Sequence, residues 1–162
     1  VFIIPEKCPS CGTKTQYIDE SVDKFCPNKK CPSRELNQLI FFCQKKQMDI
    51  EGLGEKQIQN FYDLGFLKTV VDIYDLHKRK AELEELEGLG KKSVQIILNG
   101  IEKSKEKDFK LVLPSMGLPE IGHKVAELLI DNGYSSMDLI FGLVKEKNAR
   151  EKLLSIHGLG ER

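Results

Sequence analysis

The sequence predicts a mainly α-helical protein that opens with a small cysteine-rich β hairpin. Three observations carry that prediction. Four cysteines near the start fall in two close pairs. A glycine-centred segment recurs four times after them. Beyond the first three copies, apolar residues return with the 3.6-residue period of a helix.

The 162 residues (18.4 kDa) suit one to two ordinary domains. With 40% hydrophobic and 31% charged residues, the composition is that of a globular chain. Mean hydropathy is −0.33, and no apolar run approaches the about 18 residues that a membrane helix needs. Basic and acidic residues balance at 25 each. Zero net charge excludes nucleic-acid binding driven by bulk positive charge, so any such binding must come from local geometry. The chain begins at Val1 with no signal peptide and stops at Arg162 just past a Gly-x-Gly turn. Both ends read as those of a piece of a larger protein.

The first element is the cysteine unit, residues 1–34. Cys8 and Cys11 stand in CPSCG, and Cys26 and Cys31 in CPNKKC. The pattern is Cys-x2-Cys, a 14-residue gap and Cys-x4-Cys. Pro9 and Pro27 stiffen the two turns, and Gly12 lets the chain reverse. Two such knuckles supply four thiolates to a tetrahedral zinc. Between them, Gln16, Tyr17 and Ile18 face Val22, Lys24 and Phe25 as a short hairpin. So small a unit cannot bury a stable core, and the metal would take the core's place. Two rivals exist. A disulfide pair suits a secreted small scaffold, which the rest of the chain does not resemble. A rubredoxin-like iron site carries two Cys-x2-Cys knuckles, against which the x4 spacing counts. Four protein ligands leave no position for water, so the site reads as structural rather than catalytic. Cys43, in the apolar run LNQLIFFCQKK, reads as a small buried hydrophobe.

The repeat follows. IEGLG (50–54), LEGLG (86–90), LPEIG (118–122) and IHGLG (156–160) align on their last glycine. Four residues before it stand Ile50, Leu86, Leu118 and Ile156; one before it, Leu53, Leu89, Ile121 and Leu159. Two after it comes a cation each time: Lys56, Lys92, Lys124 and Arg162. Four after it come Ile58, Val94 and Ala126. Apolar pairs then recur at Phe61 and Tyr62, Ile97 and Leu98, and Leu129 and Ile130. Helical stretches such as 80–86 and 149–156 precede the turns. The unit is helix, glycine hairpin, helix. Motifs one and two occupy residues 35–110, and motifs three and four residues 111–162, the fourth truncated after its turn. The polar, lysine-rich stretch 100–110 reads as a solvated helix end and loop.

The turn chemistry suits an anion. Glycines permit positive φ and leave room for another backbone. A helix starting at the turn presents free N–H groups and a positive dipole end, the setting in which phosphate binds. The cation two residues on adds a charge-assisted contact. The expected contacts are therefore Gly52, Leu53, Gly54 and Lys56; Gly88, Leu89, Gly90 and Lys92; Ile121, Gly122 and Lys124; and Gly158, Leu159, Gly160 and Arg162. Phosphate contacts position without reading sequence. Paired hairpins, one with two and three with four, could grip both strands across a minor groove. A single such turn is commonly no more than a helix connection; four in register point to binding.

The knuckles and the four hairpins, in this order, resemble bacterial NAD-dependent DNA ligases. The strings that carry this are CPSCG, CPNKKCP (26–32), QMDIEGLGEK (47–56) and GLPEIG (117–122). The atypical third copy, with Pro119 and Glu120 in place of a glycine, looks like a habit of the family. The resemblance covers essentially the whole chain and implies the zinc-finger and helix–hairpin–helix region, between an OB-fold domain and a BRCT domain. It implies a cytoplasmic, monomeric enzyme of replication and repair that seals nicks in duplex DNA. A lysine in a Lys-x-Asp-Gly motif is adenylated from NAD, with magnesium; AMP passes to the 5′ phosphate, and the 3′ hydroxyl displaces it. This chain has no Lys-x-Asp-Gly, so it implies a segment that holds nicked DNA beside the adenylation and OB domains of its own parent chain. NAD and magnesium belong to that parent, zinc to this segment.

Two other classes compete. One is a non-enzymatic helix–hairpin–helix module of another repair or recombination protein; the other is a scaffold whose turns only pack helices. No catalytic residue is assigned. His77 reads as exposed. His123 and His157, in the turns, could reach a sugar or phosphate. None has a carboxylate at catalytic spacing.

Overall fold

The computed structural model describes residues 4–17 and 23–160. Ile18, Val22 and Arg162, all expected to take part in the hairpin or in binding, lie outside them.

The cysteine unit has almost no secondary structure of its own. Strands β1 (Gln16–Tyr17) and β2 (Lys24–Phe25) pair antiparallel, Gln16 opposite Phe25 and Tyr17 opposite Lys24. Two-residue strands cannot hold themselves together. Nor do their aromatic rings form a core, because Tyr17 is 61% and Phe25 38% exposed. Lys24 covers the Tyr17 ring at 5.0 Å instead. What this unit buries is sulfur: Cys8 and Cys31 are its only residues in the buried class among those described.

The chain then turns helical. Helix α1 (Pro32–Cys43) starts directly on the metal-ligand candidate Cys31, its N-cap, with Pro32 at the first position. Proline fits there because that N–H has no helical partner to lose. Leu39, Phe42 and Cys43 form its buried face, as the apolar run around Cys43 predicts. Helices α2 (Glu55–Asp63), α3 (Val70–Asp75), α4 (Lys80–Glu84) and α5 (Lys91–Ser104) follow, with a 3-10 turn at Leu76–Arg79 between α3 and α4. Thr69 and Asp72 close a reciprocal capping box at the start of α3. Their apolar faces meet α1 in one core that includes Ile58, Phe61, Ile73, Val94 and Ile97. Phe42 meets Tyr74 edge-to-face at 6.3 Å. Burying each such side chain contributes about 1.5–3 kcal/mol.

A second, smaller core gathers Leu113, Ala126, Leu129 and Ile156. It draws on α6 (Phe109–Ser115), α7 (His123–Asp131) and α9 (Ala149–Leu154), with α8 (Met137–Val144) alongside. Helix α6 serves both cores: Leu113 enters the second, while Val112 packs on the first. No described helix is long and apolar enough to cross a membrane.

One expectation needs correction. The stretch 100–110 is not simply a solvated helix end and loop, since α5 runs to Ser104 with Gly100, Ile101 and Ser104 buried. Its lysines lie on the outer face. The inner face packs against the first hairpin, so close that a Cβ on Gly100 would lie 2.5 Å from the Glu51 carbonyl oxygen. Glycine stands there because another backbone passes.

Candidate metal centre and nucleic-acid interface

The sulfurs of Cys8, Cys11, Cys26 and Cys31 all lie within 4.8 Å of one another. Cys8 and Cys31 are 3.7 Å apart, Cys11 and Cys26 3.5 Å. A disulfide needs about 2.05 Å, so none of these is bonded. A tetrahedron of thiolates at about 2.3 Å from zinc has edges of about 3.8 Å, and the cluster has that size. Gly12 makes the first reversal with φ 72°, and its N–H donates to the Cys8 carbonyl at 2.8 Å. All four donors are sulfur, the choice of a soft, four-coordinate structural site.

The thiols differ in acidity. Thr13, through its side chain and then its backbone, pulls the Cys11 thiol down to about 6. Burial, together with the neighbouring sulfurs, pushes Cys26 up to about 12. A divalent cation bound among them would displace the protons that remain. Residues outside the cysteines hold the knuckles in place, and sequence reasoning missed them. Arg34 donates from its guanidinium to the Cys26 carbonyl at 2.9 Å. The Ser33 N–H donates to Ser10 Oγ at 3.3 Å. Tyr62, on α2, donates to Glu35 at 2.8 Å and ties the start of α1 to the first hairpin's helix. A carboxylate and a phenol 27 positions apart give no sequence signal.

All four glycine segments fold into the same turn. The N–H of Leu53, Leu89, Ile121 and Leu159 donates to the carbonyl three residues back at 3.2, 3.0, 3.2 and 3.1 Å. The third residue of each has positive φ: Gly52 86°, Gly88 81°, Glu120 63° and Gly158 98°. That is the position at which a type II turn requires it. Glu120 takes a conformation that three glycines take elsewhere, so the third copy keeps the turn without the glycine. The closing apolar residue packs inward: Leu53 and Leu89 are buried, Ile121 and Leu159 half-buried.

The two glycines of a turn are not equivalent. The expectation that both serve positive φ holds for the first alone. Gly54, Gly90 and Gly122 are extended, with φ −75°, −89° and −90°, a conformation open to any residue. No atom lies within 4 Å of a Cβ placed on Gly54, Gly90, Gly122 or Gly160. Torsion and internal space therefore do not demand glycine there. By contrast, a Cβ on Gly52 would lie 2.7 Å from Ile97 Cγ1, so that glycine faces α5 rather than solvent alone. Gly158 meets Leu128 at 3.2 Å in the same sense, while Gly88 faces open space.

The extended glycines are the N-caps of α2, α5 and α7, and none of these ends has a side-chain cap. The first helical bonds run from Ile58, Val94 and Ala126 to the glycine carbonyls at 2.9, 3.1 and 3.0 Å. The N–H groups of 55–57, 91–93 and 123–125 precede them and are left for an outside acceptor. Lys56, Lys92 and Lys124 are exposed and, among the described residues, form no ion pair. The histidines of the turns, His123 and His157, are exposed; His77 is exposed with Nδ1 2.8 Å from the Tyr74 carbonyl.

Comparison with known proteins decides the setting of these features. The family described as NAD-dependent DNA ligase C4 zinc finger domain matches residues 7–32, and a SAM-like helix-hairpin-helix tandem matches residues 48–103. The chain belongs to the NAD-dependent DNA ligase family. It corresponds to the zinc-finger and helix–hairpin–helix region of those ligases. A DNA ligase of Leptospira biflexa is 58% identical over 162 residues, all of this chain. One of Leptospira interrogans is 55% identical over 99% of the chain, and one of Rubrobacter xylanophilus 38% identical over 99%. The chain spans only about a quarter of these ligases, 24%, 24% and 22% of their lengths. The cysteine cluster is thus a four-cysteine zinc finger.

Proposed function

We propose that this region grips duplex DNA for a nick-sealing, NAD-dependent ligase, with the helix N-termini at its turns as the phosphate contacts. The observation that carries this is the second glycine. At Gly54, Gly90 and Gly122 neither torsion nor internal crowding explains glycine. An absent side chain there admits something from outside, and the uncapped N–H groups favour an anion. A DNA phosphate fits both facts. Binding through backbone amides needs no net charge and reads no sequence. Lys56, Lys92 and Lys124 add charge beside each site; Arg162 would do so at the fourth. Leu53, Leu89, Ile121 and Leu159 present their backbone, and Gly52 and Gly158 shape the turns on which Gly54 and Gly160 sit. Gly88, with open space around it, can approach the strand.

Cys8, Cys11, Cys26 and Cys31 would hold zinc as a structural ion, saturated by four sulfurs. Bound there, zinc fixes the knuckles onto the N-terminus of α1. This segment performs no adenylation. In the parent enzyme NAD, magnesium and the adenylation and OB domains would supply the chemistry, while this region, monomeric and cytoplasmic with it, holds the nicked duplex. Fluorescence anisotropy on nicked and intact duplexes at two salt concentrations tests the reading. Binding to both, weakening as salt rises, is the expected result. A zinc-loaded, helical chain that binds neither would overturn it.

A further inference from the structure

The four sulfurs of the finger are not equally placed. Cys8 and Cys31 are buried, at 8% and 0% exposure, while Cys11 and Cys26 are half-buried. Cys31 is also the N-cap of α1, and its carbonyl accepts from the N–H groups of Arg34 and Glu35 at 2.9 and 3.0 Å. Cys11 and Cys26 come from different knuckles, yet their sulfurs stand 3.5 Å apart. A disulfide bond is about 2.05 Å long, so a shift of about 1.5 Å would join them. Oxidation of a cysteine follows its thiolate character and its access to solvent. Zinc keeps its sulfur ligands as thiolates, so access is what separates the two pairs.

We propose that Cys11 and Cys26 are a peroxide-sensitive pair, which a hydroperoxide converts to a disulfide and so discharges zinc from the finger. The proposal rests on the zinc-finger assignment and not on DNA binding. The step balances with hydrogen peroxide as the two-electron oxidant. One thiolate of the pair attacks a peroxide oxygen, breaks the O–O bond and expels hydroxide; its sulfur becomes a sulfenic acid. The other thiolate attacks that sulfur, forms the S–S bond and expels a second hydroxide. The two sulfurs together give up two electrons, and one peroxide is reduced. Two sulfur ligands remain where a structural zinc takes four, so the ion is lost. Cys31 keeps its thiol and its place at the start of α1, and the core beneath that helix keeps its packing. A dithiol reductant with added zinc restores the finger.

Trypsin reads the pairing. Its cuts leave Cys8 and Cys11 together in residues 8–14, Cys26 in 25–29, Cys31 in 31–34 and Cys43 in 35–45. The zinc-loaded chain is treated with graded hydrogen peroxide, alkylated under denaturing conditions and digested without reductant. The expected product links 8–14 to 25–29 through Cys11, with Cys8, Cys31 and the buried Cys43 alkylated; fragmentation of the linked peptide places the alkyl group on Cys8. Zinc should reach a chromogenic chelator in step with that link, and helical circular dichroism should persist. A loop within 8–14, a link from 8–14 to 31–34, or zinc release with sulfinic acids and no disulfide would overturn the pair. Zinc retained at every peroxide concentration would overturn the switch. A chain that holds no zinc before the oxidant is added would overturn the zinc assignment and the pair with it.

Discussion

The two ends of the molecule solve the problem of staying folded by different means. Residues 32–160 bury leucines, isoleucines and phenylalanines in two cores. The described residues of 4–17 and 23–31 bury two cysteines and leave the Tyr17 and Phe25 rings largely exposed. One end is held by apolar area, the other by four sulfurs that would share one zinc. The difference teaches where each end should fail. The finger answers to metal and pH, and the helices answer to volume. The join is α1, whose N-cap Cys31 belongs to the first and whose face at Leu39 and Phe42 belongs to the second.

The largest expected effect separates the two most sharply. Chelation, or Cys26→Ser, removes a metal worth about 10–16 kcal/mol in small zinc units. Residues 4–31 should lose their fixed structure while most helical circular dichroism survives. Complete unfolding of the helices would show that the two ends are one cooperative unit. Acidification acts in the same direction, because protons compete with zinc for the thiolates. Zinc should leave as pH falls, and a chromogenic chelator reads the release. Next comes the opposite change. Phe61→Ala, at 0% exposure, should cost about 3–5 kcal/mol of helical stability and leave zinc bound. Zinc loss alongside melting would erase the distinction. Smaller again is Gly100→Val, which sets a side chain against the Glu51 backbone. Such overpacking costs about 1–3 kcal/mol, read as a lower Tm with hydrogen exchange quickened around 50–54. The smallest is Tyr62→Phe. It frees Glu35 and should cost about 1 kcal/mol, seen as faster exchange at the start of α1.

Much of this was legible in the sequence, for physical reasons. Knuckle spacing is a local property, so the sequence alone gathers Cys8, Cys11, Cys26 and Cys31 into one cluster. The hairpins were legible because a turn with positive φ favours glycine at a fixed offset, and the following helix declares itself by period. Contacts between distant segments left no such mark. Arg34 on the Cys26 carbonyl, Tyr62 on Glu35 and Gly100 against Glu51 join elements whose spacing carries no rule. Gly100 did offer a hint, as a lone glycine inside a helical pattern. The different duties of the two glycines were hidden too, because a sequence shows glycine but not φ. Glu120 shows the reverse case: a residue that reads as a departure from the motif adopts the motif's backbone.

The central claim is that the second glycine of each turn is kept bare for a phosphate. Gly90→Val tests it most directly in the anisotropy titration. The backbone at Gly90, φ −89° and ψ 167°, suits valine, and nothing lies within 4 Å of the new Cβ. As an N-cap change it should cost no more than about 1 kcal/mol of stability. The account predicts a chain that melts within a few degrees of the parent, about 4 °C, and binds duplex at least about tenfold more weakly at low salt, the loss of one well-placed phosphate contact. An equally folded variant with unchanged affinity and salt dependence would contradict it, and would make these turns helix connections alone.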